Sequence, residues 1–332
     1  MATYGANNPT LLDVAKRYND DKLVAIAEVL NQKKGFLDDM TWIEGTDSDG
    51  MQANLRSGLP TPTWRRFNEG VQPSKTTVVS VKFTTAMMEM DSTVDVDLAS
   101  KHGDPGSFRA TEDLGIIESM EQEAVRALIY DNESTSPGHI TGLQAYYNSL
   151  TAESGKNVIS GGGASTDNTS IYVVCHGPRG VHGIYPKGSK AGLEMKDLGE
   201  QLIQDATGIA GSKLLAYVTR YKWKLGLAVP DWRQAARICN IDYSALMTDS
   251  SAADLVKLLT RAVLAIENPS AGRMGIYMRR DVATALDEQA RASVSTGGGI
   301  TYDNVDGQPI MKWRGIPIRL TDGLKIDEAT VS

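Results

Sequence analysis

Two cysteines and four histidines are the scarcest reactive side chains in this 332-residue chain, and three of these six sit together. Residues Tyr172–Gly192 read YVVCHGPRGVHGIYPKGSKAG. The stretch holds Cys175, His176 and His182, five glycines, and the cations Arg179, Lys187 and Lys190. Three chemistries would use such a set. A phosphate cradle needs G-x-x-x-x-G-K-[ST], so that backbone amides and a lysine converge on phosphate oxygens. Here Gly183 leads to Gly188, but Ser189 precedes Lys190, and Pro186 removes an amide where donors are needed. A structural zinc site wants four ligands in closely spaced pairs. Cys175 and His176 are adjacent and would point to opposite faces of a strand, and the other cysteine, Cys239, lies far away in RICNID. A nucleophilic dyad would pair a cysteine with a histidine, but nothing around either cysteine marks it as activated, and a buried inert thiol is the usual case. The expectation is that the glycines, Pro178 and Pro186 shape turns, and that the basic residues face solvent or a neighbour. No cofactor, metal or catalytic residue is assigned.

Other candidates are weaker still. Forty-one acidic residues make any acid–base carboxylate pair a matter of chance. Thr63–Asn68, TWRRFN, mixes aromatics with arginines and could stack on a single nucleic-acid strand. In an acidic chain it reads better as an anchor on an acidic neighbour. Met87, Met88 and Met90 read as strand packing.

Composition narrows the class. Apolar residues make up 41% of the chain, enough for a substantial core, and the net charge is -7. That balance gains no counterion-release energy from phosphates and argues against general nucleic-acid binding. Two cysteines fit a reducing compartment and give no disulfide framework. The opening MATYGANNPTLLDVAKR lacks the basic-then-apolar order of a secretory signal, and no apolar run is long enough for a bilayer. The expected workplace is a cytoplasm, or something assembled in one. No internal repeat is present.

The elements that would position these residues come next. A helix is predicted from Thr10, with Leu11, Val14, Ala15, Leu23, Ile26, Ala27 and Leu30 apolar, fading at Gly35. Gly45–Lys75 has no helical period and contains Pro60, Pro62 and Pro73. Yet Leu55, Leu59, Trp64, Phe67 and Val71 give it apolar anchors that a solvated linker does not need. The reading is an extended arm or two-stranded flap that needs a partner surface, such as a neighbouring subunit. Two half-buried strands are predicted within Thr76–Ala99, the second on Val94, Val96 and Leu98. A long helix is predicted over Ser107–Asn132, with Leu114, Ile117, Met120, Ala124 and Leu128 as its stripe. A compact α/β region follows from about Thr151: a strand at Ile171–Cys175, a partly helical Leu193–Ala206, strand–turn–strand over Leu214–Val229, a helix at Ser251–Asn268, a strand at Met274–Met278, a helix at Arg279–Ser293, and a closing hairpin turning at Asp306-Gly307.

This order of parts resembles the major capsid proteins of tailed bacteriophages with the Hong Kong 97-type fold, closest to the short-tailed epsilon-fifteen kind. The residues that carry the likeness are GANNPTLLDVAKR, LRSGLPTPTWRRFNEGVQPSKTT, VCHGPRGVHGIYPKGSKAGLEMKDLGE, YKWKLGLAVPDWRQAARICNID and PIMKWRGIPIRLTD. It covers nearly the whole chain. The resemblance implies an α+β fold with an N-terminal arm (1–44), an extended β-hairpin or E-loop (45–85), peripheral-domain strands and spine helix (76–149, helix 107–132), and an axial domain (150–332), a late segment of which can return to the periphery. It implies self-assembly into hexamers and pentamers of an icosahedral head, built in the bacterial cytoplasm around double-stranded DNA that is not read by sequence. It also implies a portal protein, room for separate scaffolding and decoration proteins, and no membrane. Candidate inter-subunit contacts are Leu55, Leu59, Trp64, Arg65, Arg66, Phe67, Val71 and Lys75. Some family members cross-link an E-loop lysine to a neighbour's asparagine; Lys75 and Asn304 have the matching types, and nothing in the sequence brings them together. The alternatives are an encapsulin-type nanocompartment shell, which contents would distinguish, and a nucleotide- or metal-dependent enzyme.

Overall fold

The structure is a computed structural model that describes residues 18–19, 22–23, 35–101, 104–204, 213–249, 252–292, 300–305 and 308–332. The predicted N-terminal helix lies outside the described residues, apart from a short antiparallel pairing of β1 (Tyr18–Asn19) with β2 (Lys22–Leu23). The turn at Asp306-Gly307 also lies outside them. The chain forms two compact units. One groups Met87–Ala124 with the described parts of Gly192–Lys224 and of residues 1–32; the other groups the described parts of Lys33–Ala86, Val125–Ala191 and Leu225–Ser332.

The larger unit is built on a seven-stranded sheet. Its strands are β6 (Val158–Ser160), β7 (Asn168–His176), β11 (Ala235–Asp242), β12 (Arg273–Met278), β13 (Ile300–Val305), β14 (Gln308–Trp313) and β15 (Ile316–Leu320), in the order β13-β14-β15-β12-β7-β11-β6. The central β7 is buried at every residue, as a strand covered on both faces must be. One face carries Ile171, Val173, Ala236, Ile238 and Ile276 and packs against two helices, α4 (Leu255–Ala265) and α5 (Arg280–Ala292). Asp254 caps α4 by accepting from Lys257 N at 2.9 Å. The other face carries the larger polar side chains, Tyr172 and Arg237.

Three further elements position the flap. Helix α1 (Gly35–Asp39), where the sequence pattern fades, is followed by β3 (Trp42–Glu44), which pairs in parallel with β8 (His182–Tyr185). Strand β4 (Gly50–Gly58) pairs antiparallel with the first part of β5 (Thr77–Asp95), from Gly50↔Thr84 to Gly58↔Thr77.

In the smaller unit, β9 (Leu193–Gln204) pairs antiparallel with most of β10 (Lys213–Ala228), from Leu193↔Trp223 to Gln204↔Lys213. Across the ladder between β10 and β5, Arg220 grips Asp91 through two 2.8 Å bonds and Lys222 reaches Glu89 at 2.8 Å. A small core of Val94, Ala99 and Phe108 sits beneath Tyr217.

Four expectations are corrected. The second strand predicted on Val94, Val96 and Leu98 is the end of one 19-residue strand followed by helix α2 (Val96–Ser100). Asp95 Oδ1 accepts from Asp97 N and Leu98 N, and that side-chain cap ends the strand. Leu193–Ala206 is strand β9 wherever it is described, because its backbone groups pair with β10. The predicted strand–turn–strand over Leu214–Val229 is one strand without a turn, ending at Ala228; Gly226 is there because a Cβ would meet Thr84 O at 2.6 Å. The long helix α3 (Pro105–Tyr130) is present, but Leu114 is exposed; the buried face is Phe108, Met120, Ala124, Val125, Leu128 and Ile129.

Candidate functional site

Tyr172–Gly192 is a strand, a turn and a second strand. Val181 N donates to Cys175 O at 3.0 Å and Gly180 N to Gly177 O at 3.0 Å, closing the turn. A Cβ on Gly183 would lie 2.6 Å from the Trp42 ring, so only glycine lets β3 lie beside β8 there. The Gly188 amide, which a phosphate loop would aim at an anion, donates to Glu44 Oε1 at 2.8 Å.

The reactive side chains are enclosed. Both cysteines are buried, and burial pushes both thiols above the usual range. His176 Nε2 lies 2.8 Å from the Tyr277 hydroxyl, and the Phe36 ring stands edge-on to both rings. His182 is buried, with Nδ1 3.2 Å from Gly180 O and Nε2 3.4 Å from Met51 Sδ; burial lowers its pKa. Among the described residues no three or more His, Cys, Asp or Glu side chains group to hold a metal ion.

The hairpin β4–β5 is the candidate assembly site. Its root alternates: Met51, Ala53 and Leu55 turn one way, Gln52, Asn54 and Arg56 the other. Met51, Ala53 and Val81 pack on a small core of Phe83, Ile184 and Ala228. Polar contacts on the opposite side hold the register, with Gln52 Nε2 to Ser80 Oγ at 2.7 Å and Lys82 Nζ to Asp49 Oδ2 at 2.7 Å. Beyond Gly58 the ladder stops, and residues 59–76 form an exposed tip. The tip has its own internal bonds: Glu69 N donates to Arg66 O, Arg66 N to Glu69 Oε2, and Ser74 Oγ to Thr61 O. Asn68 adopts a left-handed φ of 70° at the turn.

Of the eight predicted contact residues, Leu55 is half-buried on the stalk and the other seven are exposed on the tip. Trp64 is 99% and Phe67 95% exposed in the single chain; Leu59 and Val71 are exposed too. Arg65, Arg66 and Lys75 flank them. A hydrogen-bonded stalk therefore presents large apolar groups and cations, with no apolar partner among the described residues. The side chain of Asn304 lies outside the described residues.

Two constellations escaped the sequence. Asp39 receives Arg319 Nε at 2.9 Å, Arg273 Nη2 at 3.1 Å and the Tyr277 hydroxyl at 3.1 Å. Arg237 and Glu328 form a fully buried ion pair at 2.8 Å. In both, the partners stand tens to hundreds of residues apart, and no local pattern marks them.

The sequence matches the family described as major capsid protein GP7 over residues 18–332. Among solved structures, a chain of the cryo-EM structure of bacteriophage Epsilon15 is 28% identical, with a TM-score of 0.78 and 100% of both chains covered. The bacteriophage JBD30 capsid is 9% identical, with a TM-score of 0.49 over 84% of this chain and 90% of that one. The SrpI encapsulin of Synechococcus elongatus is 12% identical, with a TM-score of 0.46 over 70% and 96%. No curated protein matches. A family match over nearly the whole chain, with a full-length structural likeness to a phage protein, makes this chain a member of the major capsid protein GP7 family, with the Hong Kong 97-type fold and a structural role in the phage capsid.

Proposed function

We propose that copies of this chain interlock, through the β4–β5 tip, into hexamers and pentamers of an icosahedral head around double-stranded DNA. The exposure of Trp64 and Phe67 on a braced stalk carries this reading, because a patch of that kind marks an interaction surface. A tip on one copy that meets a different patch on the next is a heterologous contact, the kind that closes into rings. Arg65, Arg66 and Lys75 suit an acidic receiving surface, which a chain of net charge -7 can supply.

In this reading residues 1–44 are the N-terminal arm and 45–85 the E-loop. Residues 76–149 hold the peripheral strands and spine helix, and 150–332 the axial domain, with 192–224 as the segment that returns to the periphery. The chain acts without catalysis. A portal protein, and separate scaffolding and decoration proteins where present, complete a head assembled in the host cytoplasm.

The test is electron microscopy of the purified protein after gradient sizing. Closed shells or capsomer rings are expected, and particles from infected cells should protect double-stranded DNA from nuclease. A homogeneous monomer at high concentration, even when co-expressed with the other head proteins of its phage, would refute the reading. Particles filled with a protein cargo would move it to a nanocompartment.

A further inference from the structure

Arg237 lies in the middle of β11 with its side chain wholly shielded from water. A cation there is costly unless it is neutralised and every donor is matched. Arg237 Nη1 donates to Tyr147 O at 2.8 Å, Nε to Ser170 Oγ at 3.1 Å, and Nη2 to Glu328 Oε2 at 2.8 Å. Only the last is a counter-charge, and it does not come from the sheet. It comes from the segment 324–332, which runs across the polar face of β7 and β11.

That segment is held chiefly by directional bonds. Glu328 N donates to Asn168 O at 2.9 Å, and the Tyr130 hydroxyl donates to Glu328 Oε1 at 2.6 Å. Ser170 Oγ donates to Glu328 Oε2. Asn240 grips Val331 at two points, Nδ2 to Val331 O and Val331 N to Oδ1, both at 2.8 Å. Asn240 can do this because it sits at a register shift in β11 with a left-handed φ of 54°, so its amide stands in for a missing strand. The apolar anchors are Leu324 and Val331.

We propose that residues 324–332 are a clasp: the larger unit completes its fold only when Glu328 is seated against Arg237, and an unclasped copy does not enter a shell. The second half rests on the assembly reading above. An open clasp leaves an unpaired cation inside the sheet, so the segment and strand β11 are secured together.

Three variants of the full chain separate the steps, read by amide hydrogen exchange on unassembled protein and by shell yield on a gradient. Glu328→Gln keeps the shape and removes the charge; amides of β11, of position 328 and of Val331 should exchange at least about tenfold faster, since a charged hydrogen-bonded partner is lost, and shell yield should fall. The double change Arg237→Met with Glu328→Met removes both charges and should return β11 towards wild-type protection. Asn240→Gly keeps the left-handed backbone and strands no charge; its two lost bonds to Val331 should speed exchange of the Val331 amide about tenfold while residue 328, still seated on Arg237, and β11 stay protected. Unchanged exchange in Glu328→Gln, or at Val331 in Asn240→Gly, would overturn the clasp. Fast exchange in Glu328→Gln with full shell yield would overturn its link to assembly. If the wild-type chain forms no shells, the assembly reading falls, and the exchange arms still decide the clasp.

Discussion

Tyr277 has one hydroxyl proton, and Asp39 receives it. His176 Nε2, 2.8 Å from the same oxygen, must then be the donor, so Nε2 carries a proton, and burial keeps the ring neutral near pH 7. Burial is the main reason its pKa falls to about 4 from an ordinary 6.5, with the Asp39 carboxylate pulling the other way. The unfolded chain therefore binds more protons than the folded one between those values. Stability is full above pH 6.5, declines as pH falls through the window, and levels off below about 4. A shift of this size is worth about 3 kcal/mol. The urea midpoint of the unassembled protein should fall between pH 7 and pH 4.5. His176→Gln should flatten much of that slope, leaving the contribution of His182, whose pKa burial also lowers. An unchanged slope in His176→Gln would place the acid sensitivity elsewhere.

At the scale of elements, the hairpin divides its labour between root and tip. The root is tied to Phe83 and Ile184, so truncations there act on folding. The tip is exposed throughout residues 59–76. Trp64→Ser with Phe67→Ser should change the unfolding free energy by less than about 0.5 kcal/mol per site, as exposed substitutions do. Shell formation should be lost, because buried aromatic anchors carry about 2 kcal/mol or more in an interface. Sedimentation and thermal melting of the same preparation separate the two effects; shells of normal yield would exclude both aromatics as anchors. The flap was legible in the sequence because Pro60, Pro62 and Pro73 interrupt a stretch that keeps its apolar residues. Helix α4 was legible from Leu255, Leu258, Leu259 and Ala262 at helical spacing. Strand β9 was not: Glu194, Met195, Lys196 and Asp197 are all exposed, so no alternation marks a buried face, and only pairing with β10 reveals it. The switch from β5 to α2 was hidden because Val94, Val96 and Leu98 alternate, while the deciding atom is one carboxylate oxygen of Asp95. The Asp39 and Arg237 clusters were invisible for a different reason: each joins residues that only the sheet topology brings together.

At the scale of the whole molecule, a free copy carries much exposed apolar surface, including Leu59, Trp64, Phe67, Val78 and Val79 along one hairpin. Such a copy has two ways to hide it. It can dock side chains on another copy, or it can add backbone to backbone along an open strand edge, which has no natural end. Pro60, Pro62 and Pro73 bear on that choice. Proline offers no N–H to a ladder, and the stalk strands stop at Gly58 and start again at Thr77. Replacing the three prolines with threonine should let the strands run into the tip and divert the protein into thioflavin-binding fibres; a variant that stays soluble would sink the idea. On this view three absent amide protons divide a finite container from an endless fibre.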